Sequence, residues 1–488
     1  MSAATLQRPV AATGERAWAR PALNVALLAL VALHVGVLAY HLIVQLAFPY
    51  DLNYGEGYVL NDAVRLAHGH AIYVDLQQFP MVRSPYPPLF PFLWSLLIPL
   101  SGPTFLVGRL LEVLSLVGIG VVVAWNAIKV RSGIWPALAA AGLIAGSPFV
   151  YQWAGYARVD LLALLFAVGG VVAAQWIRGW RGVVLAAVLC GLALWTKQTA
   201  VTAAFAVALA LFLRNWRQGL GFIAFVSVPC VGLGALLNLA TNGEFVRHVL
   251  LGNASNPVLP LRALIYVGTF AVLHLVALFG GGWWLRRALV GRPSPIALYL
   301  PVSLLAAFSA GNGGSSVNYL IEPVLALALV VPFAWRALPR ASALAGPLFV
   351  VIQLAVLFHW PNAFGTTYLA ESAIGRTPTA VDWEVGAQVD DLVRSTNGEL
   401  IAEPAGFAVR NGREVYLQPI DLRAEQLQGR WQPKPLVEAL STGRFERVVT
   451  AFNLFPVEAE AAIAQHFTLT DTLVSPDKLT FRVYDFHS

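Results

Sequence analysis

Apolar residues fill the first three-quarters of the chain in long runs, with polar residues confined to short clusters between them. The runs lie near 22–47, 105–128, 134–152, 159–177, 182–196, 198–213, 219–241, 262–285, 295–311, 322–335 and 342–360. A helix needs roughly 20 apolar residues to cross the hydrocarbon core of a bilayer, so this pattern predicts about 11 spans. The segment Pro87–Leu100 is apolar too, but it is short and crowded by prolines. It predicts a helix lying in the interface, not one that crosses. Upstream of it, Val59, Ala63, Leu66 and Ala67 recur at helical spacing and Gly69 can end the turn, which predicts a short amphipathic helix on the membrane surface. Beyond Pro361 the period changes. Alternating strands at Glu399–Ile401, Glu414–Leu417, Arg447–Ala451 and Lys478–Tyr484 are interleaved with helical stretches at Val385–Thr396 and Val457–Phe467. The expected fold is an all-α polytopic membrane domain over 1–360, followed by a small α/β domain over 361–488.

Composition and charge sharpen this reading. Mean hydropathy is +0.66 and only 12% of residues are charged, against about 25% in soluble domains. The first apolar run is much longer than a signal-peptide core, so it is expected to stay as a helix. With Pro87–Leu100 kept in the interface, basic residues such as Lys129, Arg131, Arg178, Arg181, Arg286 and Arg287 all fall on one side. The positive-inside rule makes that side cytoplasmic, together with the N-terminus. Eight of the nine acidic residues before Trp360 then fall at outer helix ends or in outer loops: Asp51, Glu56, Asp62, Asp75, Glu112, Asp160, Glu244 and Glu322. The C-terminal domain is expected to be extracytoplasmic. The 28 arginines against four lysines point to a GC-rich bacterial genome, hence a bacterial inner membrane. Basic charge along a membrane face implies anionic lipid as partner, not nucleic acid. Cys190 and Cys230 lie in apolar runs and imply no disulfide framework.

The candidate chemistry therefore faces outward. Glu56 opens the amphipathic helix, where the helix dipole favours an ionised carboxylate. Such a group can take a proton from a hydroxyl, or can simply start a helix. Arg158 and Asp160 stand together at the mouth of one apolar run. Lys197 is a lone lysine at the end of another. They form either a charged site or, respectively, a structural ion pair and a snorkelling side chain. Tyr73 and Tyr86 suit an interfacial aromatic belt.

The order Glu56-Gly57-Tyr58, then Ala67, Gly69 and Tyr73, then Tyr86-Pro87-Pro88-Leu89 resembles the first outer loop of the GT-C glycosyltransferases. It is closest to the branch of protein O-mannosyltransferases and lipid A aminoarabinose transferases. The segment Gly191–Lys197 resembles that branch's donor-lysine segment, with Gln198 in place of the usual Gly. Asn318-Tyr319-Leu320 resembles its RYLLP segment, with Asn in place of Arg. The likeness covers roughly 50–330. Gly55 stands where the first acid of the family's loop pair belongs; Glu56 matches the second, and Asp51 can substitute for the first.

The resemblance implies a polyprenyl-phosphate-linked sugar as donor and a glycan, lipid or protein hydroxyl as acceptor. Inverting transfer is expected, by analogy with two-carboxylate glycosidases. It implies Glu56 or Asp51 as base, with Asp160 orienting the acceptor or holding a cation. Lys197, Arg158 and Arg83 are expected at the donor phosphate, and Tyr54, Tyr58, Tyr86 and Tyr319 around the substrate. No cofactor is required by the sequence, while a divalent cation is compatible with its acids. The rival reading is a transporter or flippase for a lipid-linked sugar.

Overall fold

The computed structural model describes residues 15–254, 257–290, 293–338, 344–364, 377–452, 454–475 and 479–487. Among the described residues, each of the eleven apolar runs falls mostly on helix. Five helices are individually long and apolar enough to cross a membrane: Trp18–Ala47, Phe105–Val130, Gly179–Thr196, Trp216–Ala240 and Val317–Ala337. Five others are shorter: Ile134–Gly146, Asp160–Trp176, Gln198–Arg214, Pro295–Gly311 and Ala345–Phe358. At about 1.5 Å per residue, most of these fall short of the ~30 Å hydrocarbon core. Pro87–Leu100 resolves into two short helices, Leu89–Ser95 and Ile98–Ser101. The amphipathic helix runs Glu56–Ala67 and buries Tyr58, Val59, Leu60 and Ala63.

The run expected as one span at 262–285 is two helices, Pro260–Leu273 and Leu275–Ala288, bent by 85°. The cause lies in another helix. The side chain of Gln353 inserts where the helical ladder would join Leu273 to Ala277: its amide donates to Leu273 O at 2.7 Å and its carbonyl accepts from Ala277 N at 3.0 Å. One amide thus replaces both halves of a missing backbone bond. That satisfies the requirement that no polar backbone group go unpaired at membrane depth.

The C-terminal part holds a four-stranded sheet: β1 (Glu399–Ala402), β2 (Phe445–Thr450), β3 (Phe467–Val474) and β4 (Thr480–Phe486). Its order is β1-β2-β4-β3, with β1 and β2 parallel and the other pairs antiparallel. The strand expected at 414–417 does not form. Its edge pairs instead with the first loop: Met81 N–H donates to Tyr416 O at 2.7 Å and Gln418 N–H to Met81 O at 3.1 Å. Strand β3 was not expected; it is a mostly exposed, Thr-rich edge strand.

Leu76 and Met81 share a core with Leu417, Trp431 and Phe445, and Trp431 Nε1 donates to Leu76 O at 2.9 Å. The membrane domain's first loop is therefore built into the core of the C-terminal part.

Candidate functional site

Helix Asp160–Trp176 starts at the centre of the site. Glu112, from the helix Phe105–Val130, accepts from its first free amides, Leu161 N at 2.7 Å and Leu162 N at 3.0 Å. A carboxylate suits the positive end of that helix. Asp160 itself is buried and fully engaged. It accepts from Lys197 Nζ at 2.5 Å, Asn318 Nδ2 at 2.7 Å and Trp153 Nε1 at 2.8 Å. Lys197 also lies 4.5 Å from the centre of the Tyr319 ring. An ammonium has three donors, and Asp160 is the one hydrogen-bond partner seen for Lys197 among the described residues. A cavity of about 190 Å³ opens here, lined by Asp160, Lys197, Asn318, Tyr319 and Glu322, by Thr199, Thr202 and Ser309, and by apolar residues including Ala163, Leu164 and Val201.

Arg158 closes the opposite side. Its guanidinium donates to Asn53 Oδ1 at 3.0 Å and to Tyr86 Oη at 2.6 Å. Its Nε is buried with no partner among the described residues. The guanidinium occupies the space where a side chain at position 55 would sit: a Cβ there would lie 1.3 Å from Arg158 Nη1. The glycine at position 55 thus admits an arginine. Tyr86 and Arg158 lie within electrostatic reach of Asp160, and Tyr86 of Lys197 too. They line a second cavity of about 170 Å³ with Tyr54, Tyr58, Asp62 and Asp421.

The structure thus brings Asp160, Lys197, Tyr319, Arg158, Tyr86, Tyr54 and Tyr58 to two neighbouring cavities. It does not bring Glu56, Asp51 or Arg83 to them. Glu56 is wholly buried. Its Oε1 accepts from Arg109 Nε at 3.0 Å and Ala157 N at 2.6 Å; its Oε2 accepts from Leu52 N at 2.5 Å and Arg109 Nη2 at 3.0 Å. Arg109, equally buried, also donates to the carbonyls of Gln45, Phe48 and Tyr50. Asp51 lines a separate cavity of about 30 Å³ against Phe407 and Phe452. Burial, with the Glu56 charge beside it, pushes its carboxyl up to about 8. Arg83, 2% exposed, donates twice to His248 O, at 3.1 and 2.8 Å, and once to Asp421 Oδ1 at 3.0 Å.

His248 pins the loop between these groups. Its Nδ1 accepts from Ser84 N at 3.1 Å, so the proton sits on Nε2, which donates to Val74 O at 2.8 Å. Burial holds its pKa down at about 4. Ser84 Oγ lies 2.7 Å from Asp62 Oδ1, and burial raises Asp62 to about 7.

Sequence reasoning named Asp62 and Glu112 only as outer acids, and it missed Arg109's role and Asp421 entirely. An arginine inside an apolar run was a usable signal for Arg109. Asp421 carried none, because it lies outside the apolar runs. Among the described residues, no group of three or more His, Cys, Asp or Glu side chains is placed to hold a metal ion.

No family model matches the chain, and no curated protein matches it significantly. Solved structures do match. ArnT from Cupriavidus metallidurans bound to undecaprenyl phosphate superposes with a TM-score of 0.61 at 15% identity, over 93% of this chain and 97% of that one. The same protein in the apo state gives 0.60 at 14% identity over the same shares. The chain has the GT-C membrane fold seen in ArnT.

Proposed function

We propose that this chain is an integral membrane glycosyltransferase of the bacterial cell membrane. It moves a sugar from a polyprenyl-phosphate donor to an acceptor hydroxyl at the extracytoplasmic face, with inversion. Residues 1–360 form the catalytic membrane domain, with the N-terminus cytoplasmic and 361–488 outside. The observation that carries the reading is the cavity at Lys197, where a buried ammonium and the Tyr319 ring share the walls with apolar Ala163, Leu164 and Val201. That mixture suits a phosphate carried on a hydrocarbon chain. The ArnT structure holds undecaprenyl phosphate, which supports the same donor class here.

Two cations, Lys197 and Arg158, stand at the site, with Asp160 paired to Lys197 and Glu322 held by the Tyr299 hydroxyl on the cavity wall. Such cations suit an anionic phosphodiester. As the sugar–phosphate bond breaks, negative charge grows on the leaving phosphate. The free donors of Lys197 and the unpaired Arg158 Nε–H stabilise it in a site already organised for that charge. Asp160 holds the ammonium in place. Tyr86 and Tyr319 flank the head group, and Tyr54 and Tyr58 line the space beyond.

The test is undecaprenyl phosphate binding to the full-length protein in nanodiscs. A hydrogen bond to a charged group contributes ~1.5–3 kcal/mol, so Lys197→Ala is expected to weaken binding on the order of 10- to 100-fold. The double variant Asp160→Asn/Lys197→Met removes both charges without stranding one, and is expected to fold yet lose binding. Unchanged affinity in both would reduce Lys197 to an interfacial side chain and withdraw the proposal.

A further inference from the structure

We propose that the C-terminal domain completes the transfer site, with Asp421 as the carboxylate that receives the acceptor hydroxyl's proton. This rests on the glycosyltransferase reading above. It is reached by asking which acid has a free oxygen facing the shared cavities.

Glu56 has none: both of its oxygens are doubly engaged inside the protein. Asp51 opens onto a different and much smaller space. Asp160 is taken by Lys197, Asn318 and Trp153. Glu322 lines the other cavity, but it is held by the Tyr299 hydroxyl at 2.9 Å and by Thr202. Asp62 does line the cavity, but it is 5% exposed and lies against the Ser84 hydroxyl. Asp421 differs from all five. Arg83 grips its Oδ1 at 3.0 Å. Its Oδ2 has no hydrogen bond among the described residues, and its side chain is 20% exposed on the wall of the 170 Å³ cavity. That space is on the scale of a single hydroxylated ring.

The carboxylate is held as a catalytic group must be. Helix Pro419–Leu427 carries it one turn from the Met81–Gln418 backbone bridge. Ile420 N–H donates to Tyr54 Oη at 3.2 Å, from the other side of the cavity. Arg83 is in turn fixed by its two bonds to His248 O. Burial raises the Asp421 pKa, while Arg83 and, more weakly, Arg158 restrain the rise. The result is a carboxylate more basic than one in water.

In the step itself, the acceptor oxygen bonds to the anomeric carbon as its proton passes to Asp421 Oδ2. The bond from that carbon to the phosphate oxygen breaks, and its electron pair leaves with the polyprenyl phosphate. The products are the glycosylated acceptor and a polyprenyl phosphate monoester. The proton on Asp421 then returns to water.

The experiment uses membrane vesicles carrying the full chain, supplied with radiolabelled mannosyl-, glucosyl- and arabinosyl-undecaprenyl phosphate. Label moving to an acceptor fraction is counted over a range of pH. Asp421→Asn is expected to lower turnover about 10²- to 10⁴-fold, with undecaprenyl phosphate binding within about twofold of wild type. Asp421→Glu keeps a carboxylate for Arg83, and is expected to retain transfer with a displaced acid limb in the pH–rate profile. A purely structural Asp421 would not move that limb, so an unmoved limb overturns the inference even if the Asn variant fails to fold. Wild-type transfer with Asp421→Asn above a third of its rate overturns the inference alone. A wild type that transfers from no donor overturns the glycosyltransferase reading and this inference with it.

Discussion

Replacing Glu56 by glutamine separates two roles that the sequence leaves open. As a general base, Glu56 would be lost from chemistry while the fold stayed intact. As the structure has it, the damage falls on the fold. Glu56 and Arg109 are both fully buried and joined by two hydrogen bonds at 3.0 Å. The same carboxylate also takes the amides of Leu52 and Ala157. All four donors converge on two oxygens, so an amide –NH₂ at either place must face a donor. Removing one partner of a buried ion pair costs ~3–5 kcal/mol. At roughly 2–4 °C per kcal/mol for a domain of 150–250 residues, the expected fall in melting temperature is on the order of 6–20 °C. Thermal unfolding of the detergent-solubilised protein, followed by tryptophan fluorescence beside a transfer assay, measures both properties. A Glu56→Gln protein that melts within about 2 °C of wild type and is still dead in transfer would refute the structural role and restore Glu56 as the base.

Three further expectations follow from the same physics. Gln353→Leu leaves Leu273 O and Ala277 N unpaired at membrane depth, at a cost of ~1–3 kcal/mol each; a melting temperature equal to wild type would show that the bend does not depend on that amide. His248 is neutral in the fold, with a pKa near 4 against 6.5 for a free histidine. Its contribution is therefore full above pH 6.5 and lost as pH falls toward 4, amounting to about 3 kcal/mol; a His248→Gln variant should be flatter than wild type across that window, and parallel curves would contradict this. If Pro87–Leu100 lies in the outer interface, a cysteine at Ser132 should resist an impermeant reagent in intact cells, and its ready labelling would reverse the proposed orientation.

The eleven apolar runs were legible because hydrophobic length is a local property. So were Arg158, Asp160, Lys197 and Tyr319, since each sits where a charged or aromatic group interrupts such a run. What escaped the sequence was pairing across distance. Glu56 looks like a free carboxylate at a helix start until Arg109, 53 residues on, and Ala157, 101 residues on, are folded against it. The bend at His274 contains no proline, and its cause lies 80 residues downstream in Gln353. The strand expected at 414–417 has suitable alternation, but its edge was taken by Met81 from the first loop. Asp421 was the hardest to see, because its partner Arg83 is 338 residues away. Nothing around it in the chain marks it as more than a surface acid.

The fit of Arg158 into the space above Gly55 bears on how such a sequence can change. A side chain at 55 and the guanidinium of Arg158 as it lies claim the same volume. An acid at 55 would therefore displace the end of the arginine from Tyr86 and Asn53, and shortening Arg158 would leave both without that donor. What position 55 can hold is thus set by a residue 103 positions further along the chain.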